Sequence, residues 1–447
     1  MTSKQRFSLI ARNYPSFQEI NPVKLNAYKW MQSRKQDDNA EGFWRVHDTL
    51  YDLTEFIDLH PGGTDWIKLT KGTDITEAFE VHHINFAKAE HLLKDYCVRD
   101  AKLPRNFKFT FKETGFYRTL RQRIREKLKT LNPKRAELMT KVFIDMLLVL
   151  TFITSILSAK YDNRYLMILS GLCMCYTVIS AHNFFHRRDN FRMFYFNLSF
   201  FNYKEWRISH AMSHHLFPNS LHDLEVTLFE PLLCWIPMKT KTFGQRFISW
   251  IYSPIIYTFV CLDQLVKRIL FSFTSKTNLF QSSDLVPLAV PFAMLIFGNS
   301  NPFTVFKVWM QIILANSFIF HLIGLNAGHH HPDTLHEMDK LRDDLDWGIY
   351  SMDTIMDNTD LRKHHFLALT HFGHHALHHL FPTIDHGILS SLYPILFETM
   401  NEFEIELEAY PWYHHIYGQL RQLTRNSPKT FDSLEKLRRK QIQKKIE

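Results

Sequence analysis

The spacing of apolar and polar residues changes along this chain of 447 residues. Between residues 41 and 105, Trp44, Val46 and Leu50 alternate with polar residues, which predicts a half-buried strand. The spacing then becomes helical around Leu53 and Phe56, in short pieces. This mixture predicts a small α+β domain.

Residues 142–400 have a different pattern, with long apolar runs that carry few charges. Four runs are predicted to span a membrane, at residues 142–159, 165–181, 285–298 and 304–326. They form two hairpins, so the chain returns each time to the side from which it started. A further apolar run at 247–266 is interrupted by Pro254, and it is predicted to lie at the membrane interface or to be re-entrant. We therefore expect an all-α membrane domain with about four transmembrane helices.

The length favours a multidomain protein, because one hydrophobic core rarely organises so many residues. The expected parts are an irregular lead-in at 1–40, the α+β domain at 41–105, a basic linker or interfacial helix at 106–141, the membrane domain at 142–400 and a basic cytosolic tail at 401–447. The N-terminus lacks the continuous apolar core of a secretory signal, so the first domain is expected to stay in the cytosol.

Charge and cysteine content exclude two classes of protein. The formal net charge is +8, but the basic stretches at 118–141 and 434–445 lie beside apolar segments and match no nucleic-acid motif. Contact with anionic lipid headgroups is the favoured interpretation, and a merely solvated helix face is the alternative. Five cysteines without CxxC spacing argue against a disulfide framework or a zinc site.

Two histidines of the α+β domain are candidates for holding a heme iron. His60 lies in an HPGG turn, where the proline and two glycines can aim its ring inward. His83 follows 23 residues later, behind Phe79 and Val81, which can line an apolar pocket. Two such imidazoles can bind a heme iron from its two faces. His82 is a rival for the second position.

The residues around these histidines strengthen this interpretation. In order along the chain they are Trp44, Tyr51, Asp52, Thr54, Phe56, HPGG, Gly72, Asp74, Thr76, Ala78 and Phe79. This stretch resembles the cytochrome b5 family, in the form that is fused to lipid desaturases. The resemblance implies a non-covalent b-type heme with two histidine ligands, and the family's Phe-x-x-x-His step favours His83 over His82.

Three further groups of histidines lie beside the apolar runs. They are His182 and His186; His210, His214 and His215; and His375, His378 and His379. Residues four apart share a helix face, so members of each group can point at one location. Many buried neutral imidazoles are costly without partners, and metal ions supply them. Eight ligands are too many for one ion, so two are predicted, and iron is preferred because the heme can deliver electrons to it.

These groups resemble the histidine boxes of the membrane fatty-acid desaturase and hydroxylase superfamily. Trp206 before the second group and Leu-Phe-Pro at 380–382 after the third extend the resemblance, which implies two non-heme iron ions. In acyl-CoA desaturases an Asn and a His four residues later complete the centre. Asn326 and His330 have that spacing, which makes His330 a ninth candidate ligand. The remaining histidines considered, His222, His329, His331, His364, His365, His371 and His374, are expected to support the site or to lie on the surface.

Together the resemblances imply a multi-pass membrane enzyme of the endoplasmic reticulum, with heme domain and histidine groups on the cytosolic side. An NADH-cytochrome b5 reductase would supply electrons, and the iron ligands would also form the catalytic site, where O₂ oxidises lipid acyl chains by desaturation. Two alternatives stay open, namely lipid hydroxylation and a membrane-anchored electron carrier with a silent second domain. His375 stands where many fused front-end desaturases carry Gln, and three residues separate His210 from the next histidine pair, which weakens assignment to that subgroup. No nucleic-acid partner is expected.

Overall fold

The computed structural model describes residues 8–20, 25–275 and 281–446 of the chain. These residues form a small domain that contains a sheet, followed by a mostly helical region with long apolar helices. The predicted two-domain architecture is therefore confirmed, with a small α+β domain followed by a mostly helical domain that carries long apolar helices.

The small domain is built on three antiparallel strands, β1 (Trp44–Val46), β2 (Thr49–Tyr51) and β3 (Cys97–Asp100), in that order across the sheet. Between β2 and β3 lie the helices Ile57–Leu59, Thr64–Thr70, Thr76–His82, Phe86–Leu93 and Lys94–Tyr96, of which the first and last are 3-10 helices. Trp44 and Phe79 are buried in the core of this domain. That core holds the helices at whose ends His60 and His83 stand.

The N-terminal segment is not the irregular lead-in that the sequence predicts. It contains helices Pro15–Gln18 and Ala27–Asp37. Trp30 on the second helix is fully buried, and Arg34 donates a hydrogen bond to the carbonyl of Asp74 in the small domain at 2.6 Å. The helix has a weak apolar pattern because part of its buried face consists of charged residues that find partners.

The predicted basic linker at 106–141 contains a 15-residue helix, Phe116–Thr130. Its apolar side chains Phe116, Leu120 and Ile124 are fully buried in a hydrophobic core to which both domains contribute. The helix therefore fixes the two domains against each other.

Three of the described helices are long and apolar enough to cross a membrane, namely Pro133–Tyr161, Arg164–Phe185 and Pro302–Gly324. The predicted span at 285–298 falls on a shorter apolar stretch, Ser282–Gly298, which a 3-10 helix and an α-helix share. The fourth span of the sequence prediction is thus represented by a segment that is short for a full crossing.

Pro254 does not interrupt the remaining apolar run, contrary to the sequence prediction. The helix Ser249–Ser275 continues through this proline, after a π-helical turn at Gly244–Ile248. Proline lacks the backbone N–H that would bond the carbonyl of Trp250. The hydroxyl of Ser253 donates to that carbonyl instead, at 3.4 Å.

Short elements complete the helical region. They are the 3-10 helices Phe191–Ser199, Ser282–Leu288 and Ser390–Leu392, the π-helix Arg207–His214, the α-helices Tyr203–Trp206, Leu224–Thr227, Ala289–Gly298, Trp347–Asp353, His365–Thr370, His375–Leu380, His386–Leu389 and Tyr393–Glu402, and the paired strands Asp357–Asn358 and Ala409–Tyr410. The predicted basic tail contains helices Trp412–Thr424 and Ser433–Ile446. Arg425 between them pairs with the buried Asp339 at 2.9 Å, so the tail folds back onto the domain.

Candidate heme pocket and metal centre

His60 and His83 face each other in the small domain. His60 follows the 3-10 helix Ile57–Leu59, and His83 follows the helix Thr76–His82. Their ring centres are 6.3 Å apart. Metal–imidazole bonds are about 2 Å long, so two rings that bind one iron from opposite sides have centres about 6 Å apart. The observed separation fits a heme iron between these rings.

Backbone contacts fix the orientation of both rings. Nδ1 of His60 lies 3.0 Å from the carbonyl oxygen of Gly63, and Nδ1 of His83 lies 2.8 Å from that of Phe79. A carbonyl only accepts, so both Nδ1 atoms donate and both Nε2 lone pairs are left available to bind a metal. Gly63 has φ +113°, and a Cβ there would lie 2.5 Å from the carboxylate of Asp189. The turn therefore requires a glycine where it passes the second domain.

His82, the rival second ligand, is oriented differently. Its Nδ1 lies 2.9 Å from the carbonyl oxygen of Ala78, and its ring packs against Trp66 with centres 4.9 Å apart. The ring in contact with His60 is that of His83. His83 is thus the better-placed candidate for the second axial position.

The histidine boxes lie where short elements meet the ends of long helices. His182 and His186 stand at the end of Arg164–Phe185, and His210 and His214 stand on the π-helix Arg207–His214. Such π-helical turns are frequent at functional sites because they rotate side chains out of the regular α-helical register. The third box occupies a helix of six residues, His375–Leu380.

The ring nitrogens gather in two sets of four histidines. One set is His182, His186, His210 and His378, the other is His214, His329, His375 and His379, and within each set the ligand atoms lie within 4.8 Å of one another. Nε2 of His182 is 3.2 Å from Nε2 of His378, and Nε2 of His329 is 3.0 Å from Nε2 of His379. At about 2 Å per metal–nitrogen bond, each set is compact enough to hold one ion.

The chemistry of these donors fits metal ions. Both ring nitrogens of His186 and of His375 are buried without a hydrogen-bond partner among the described residues, a rare state for polar atoms. Burial, with repulsion from neighbouring imidazoles, lowers the pKa of His186, His329 and His375 well below its ordinary value. These rings are therefore neutral, which is the form that binds metal.

His330, the ninth ligand proposed from the sequence, lies outside both sets. Its ring is stacked on Trp235 with centres 4.2 Å apart. The preceding residue, His329, points into the second set, and its Nδ1 lies 3.1 Å from the carbonyl oxygen of Thr354. We therefore replace His330 by His329 as the candidate ligand.

The correction has a physical reason. The spacing between Asn326 and His330 places both side chains on one face only if the helix continues, but Pro302–Gly324 ends before Asn326. The turn that follows includes Gly328, where a Cβ would lie 2.2 Å from the carbonyl oxygen of Met356. This close passage of the backbone sets which histidine of the run at 329–331 faces the centre.

Two more histidines lie at the border of the sets. Nε2 of His215 is 3.1 Å from Nε2 of His210, and its ring stacks on His379 with centres 3.9 Å apart. The ring of His386, which the sequence does not single out, is centred 4.7 Å from that of His378. His215 belongs to neither set of four and stays a candidate ligand.

The other histidines considered have separate surroundings. His331 stacks on His414, His371 contacts the hydroxyl of Tyr176, His374 packs on Tyr393, His365 contacts the hydroxyl of Thr140, His222 packs on Tyr14, and His364 is exposed. None of these six belongs to a set of ligand atoms found among the described residues.

Two carboxylates that sequence reasoning missed orient the second box. Oδ2 of Asp223 lies 2.9 Å from Nδ1 of His214, and Oε1 of Glu225 lies 2.5 Å from Nδ1 of His210. Metal-binding histidines commonly donate their second N–H to a carboxylate, which fixes the ring and leaves Nε2 for the metal. The acidic pair that follows HxxxHH in the sequence is the signal that could have identified them.

A cavity of about 670 Å³ reaches this centre, a volume typical of ligand pockets. It is bordered by Ser249–Ser275 and Pro302–Gly324, and its lining includes His210, His214, His329 and His375. Aromatic and aliphatic side chains form most of its wall, among them Phe201, Trp206, Phe229, Ile256, Val260 and Phe320. A long apolar molecule could therefore lie with one segment beside the histidines.

This arrangement defines a class of protein in which a domain with a candidate heme pocket is joined to a mostly helical domain that has long apolar helices and a histidine-rich centre. Known families agree with that description. The cytochrome b5-like heme/steroid binding domain matches residues 29–102, and the fatty acid desaturase family matches residues 164–411. The chain belongs to the fatty acid desaturase family and carries a cytochrome b5-like domain ahead of the desaturase domain. The resemblances predicted from the sequence are thereby confirmed.

Several relatives align over nearly the whole chain. The cytochrome b5-related protein of Drosophila melanogaster is 45% identical over 94% of this chain and 96% of its own length. The Delta(5) fatty acid desaturase A of Dictyostelium discoideum is 23% identical over 86% of this chain and 90% of its own. The acyl-lipid (8-3)-desaturase of Mortierella alpina is 21% identical over 85% and 92%. No solved structure matches the chain significantly.

Proposed function

We propose that this protein is a membrane oxidoreductase that uses O₂ to oxidise lipid acyl chains, by desaturation, at two non-heme iron ions supplied with electrons by its own b-type heme. The observation that carries the proposal is the apolar cavity that ends at the candidate metal ligands. One relative named as a fatty acid desaturase and another named as an acyl-lipid desaturase support an acyl chain as the occupant.

The side chains of the centre have distinct tasks in this proposal. Bound iron ions would supply the activation of O₂ needed to remove hydrogen from an unactivated carbon. The two sets of histidines hold the ions, and Asp223 and Glu225 keep the rings of His214 and His210 oriented. The apolar wall positions the acyl chain and excludes water from the reacting carbon.

Contacts between the domains favour the attached heme as the electron source. Asp65 of the small domain pairs with Lys204 at 3.1 Å, and its carboxylate accepts a hydrogen bond from the hydroxyl of Tyr203 at 3.4 Å. A shared core adds apolar contacts. A docked and tethered donor acts at high local concentration, whereas a carrier that serves separate enzymes would need an accessible face on this side.

The cellular setting follows from the same interpretation. We propose that the chain lies in the endoplasmic reticulum membrane, with the heme domain at 41–105 and the histidine boxes of the domain at 142–400 on the cytosolic side. An NADH-cytochrome b5 reductase would then deliver electrons to the heme. The basic segments at 106–141 and 401–447 would face anionic lipid headgroups.

Heme and non-heme iron content of the purified protein test this proposal. We expect one heme and two further irons per chain in the wild type. The His60→Ala variant should lose heme and keep non-heme iron. The His214→Ala variant should keep heme and lose non-heme iron. His91→Ala and His364→Ala, which change exposed histidines, are matched controls and should lose neither.

Lipid analysis of a desaturase-deficient host that expresses the protein completes the test. New double bonds that depend on His214 support the proposal. Hydroxylated acyl chains instead of new double bonds would show that the reaction is hydroxylation and not desaturation. A wild-type protein that contains heme but no further iron, with unchanged lipids, would contradict it and favour the electron carrier.

A further inference from the structure

His82 lies between the heme pocket and the first histidine box. It directly precedes His83 in the chain, and its Nε2 is buried without a hydrogen-bond partner among the described residues. Through Trp66 and Arg207, buried contacts connect His82 to Phe185, the residue before His186, which is a candidate metal ligand of the other domain.

The ring packed against His82 connects the same two regions. Trp66 contacts His82 with ring centres 4.9 Å apart. The guanidinium carbon of Arg207 lies over the same indole ring, 5.3 Å from its centre. Nε of Arg207 donates to the carbonyl of Phe185 at 3.1 Å, immediately before His186. A continuous set of buried contacts thus runs from the heme side to the end of the first box.

The docking that forms these contacts is specific. Asp65, the residue before Trp66, pairs with Lys204 at 3.1 Å and lies 3.6 Å from Arg207. Gly63 passes against Asp189, three residues beyond His186. Charged and backbone contacts therefore hold His82 at the domain junction. There its Nε2 is not needed as the heme ligand, because His83 is the better-placed candidate, and it makes no hydrogen bond among the described residues.

We propose that His82, supported by the ring of Trp66, is the residue through which electrons pass from the heme ligand His83 to the metal ligand His186. This role rests on the proposed function, since it requires both heme and non-heme iron. His82 acts as a positioned relay and is not itself a ligand.

The electron balance is simple. In each transfer one ferrous heme becomes ferric and one ferric ion of the histidine centre becomes ferrous. No covalent bond forms or breaks, and no proton is required at His82. An external one-electron reductant restores the ferrous heme.

Flash reduction of the heme under anaerobic conditions tests the relay without any substrate. The full-length protein, loaded with heme and iron and fully oxidised, is mixed with a photosensitiser and a sacrificial donor, and reoxidation of the heme is followed by its absorbance. Wild-type protein stripped of non-heme iron gives the baseline. Heme content, heme absorbance spectrum, heme midpoint potential and iron content are measured on every variant.

We expect His82→Leu to slow heme reoxidation by about tenfold or more, equal to about 1.4 kcal/mol in activation free energy, with spectrum, potential and iron content unchanged. His82→Phe, which keeps an aromatic ring, should recover most of the rate. His91→Leu, an exposed histidine of the same domain, should behave as wild type. Trp66→Leu should also slow the transfer, and it provides a second test if His82→Leu does not fold.

The outcomes separate the relay from the proposed function. Fast reoxidation in wild type that is equally fast in His82→Leu and Trp66→Leu overturns the relay alone. Loss of the bis-histidine heme spectrum in His82→Leu also overturns it, because His82 would then be an axial ligand. A wild-type protein that transfers no electron to a loaded histidine centre overturns the proposed function, and the relay with it.

Discussion

Arg207 and Trp66 join the two domains, with the guanidinium carbon of Arg207 centred 5.3 Å from the indole ring. Arg207 is fully buried, on the same π-helix that carries His210 and His214. The helix of the second histidine box thus also forms the surface on which the heme domain docks.

Removal of this arginine should destabilise the docked state. Arg207→Met removes a 2.5 Å ion pair with Asp189 and the hydrogen bond to Phe185, and we expect a loss of about 2 kcal/mol in unfolding free energy. Thermal unfolding in detergent, followed by heme absorbance, measures the change. Arg188→Met is the control because Arg188 is exposed, and equal stability of the two variants would contradict the docking role.

Neighbouring histidines should differ sharply in their effect on metal content. His329→Ala removes a ring nitrogen from the second set of four, so we expect loss of about one non-heme iron per chain. His330→Ala removes a ring stacked on Trp235, and both irons should stay. Iron measured per heme distinguishes the two, and the reverse result would restore His330 as the ligand.

Asp223 should control metal affinity without touching a metal. Its carboxylate accepts from Nδ1 of His214 at 2.9 Å and from the backbone N–H of Asn219 at 2.8 Å. Asp223→Asn weakens the first of these contacts, and affinity for iron should fall about 10- to 100-fold. Competition with a chelator gives the affinity, Asp343→Asn at an exposed position is the control, and an unchanged affinity would show that His214 needs no orienting partner.

The cavity can be filled at Gly324 without loss of metal. A Cβ at this position meets nothing closer than Phe372, at 3.7 Å, so a larger side chain is tolerated and extends into the cavity. We expect Gly324→Leu to keep heme and iron but to lose oxidation of long acyl chains. Gly244→Leu, at a position that does not line the cavity, is the control, and normal products from Gly324→Leu would exclude the cavity as the substrate site.

Acid should loosen the contact between the heme domain and the helix Phe116–Thr130. Burial raises the pKa of Glu80, but hydrogen bonds from His47 and Arg118 and the charge of Arg121 outweigh it, so the pKa is lowered. A lowered pKa stabilises the fold fully above the ordinary glutamate value of about 4.3, and this contribution is lost as the pH falls through the folded-state pKa.

Glu80→Gln tests the prediction directly. It should cost about 3 kcal/mol at neutral pH, because it leaves buried arginines without their partner, and it should flatten the acid dependence of unfolding. Denaturant unfolding at several pH values measures both effects. Glu113→Gln changes an exposed partner of the same Arg118 and should retain the wild-type pH profile.

The sequence predicts features of single helices and strands better than contacts between segments that are distant in the chain. The strand at Trp44 and the four-residue spacing of His182 with His186 depend on single elements, so they can be interpreted locally. Two other expectations fail: Arg45 of that strand is buried rather than exposed, and His210 and His214 fall in different sets of four. Asp223 and Glu225 approach the second box only because a turn folds back onto it. The helix Ala27–Asp37 is hidden for another reason, since buried charged residues on it look like solvent-exposed ones in a sequence.

The shared core of the two domains limits how electrons can be delivered to the histidine centre. Because the two domains share a core, each histidine centre would be served under the proposed function by one heme at a fixed position, and a heme stores one electron. Under the proposed function, reduction of O₂ to water while two hydrogens leave the acyl chain draws two electrons from outside. The reductase must therefore bind to the same outward face of the small domain twice in every catalytic cycle. The reaction must wait for the second binding event before the cycle can be completed.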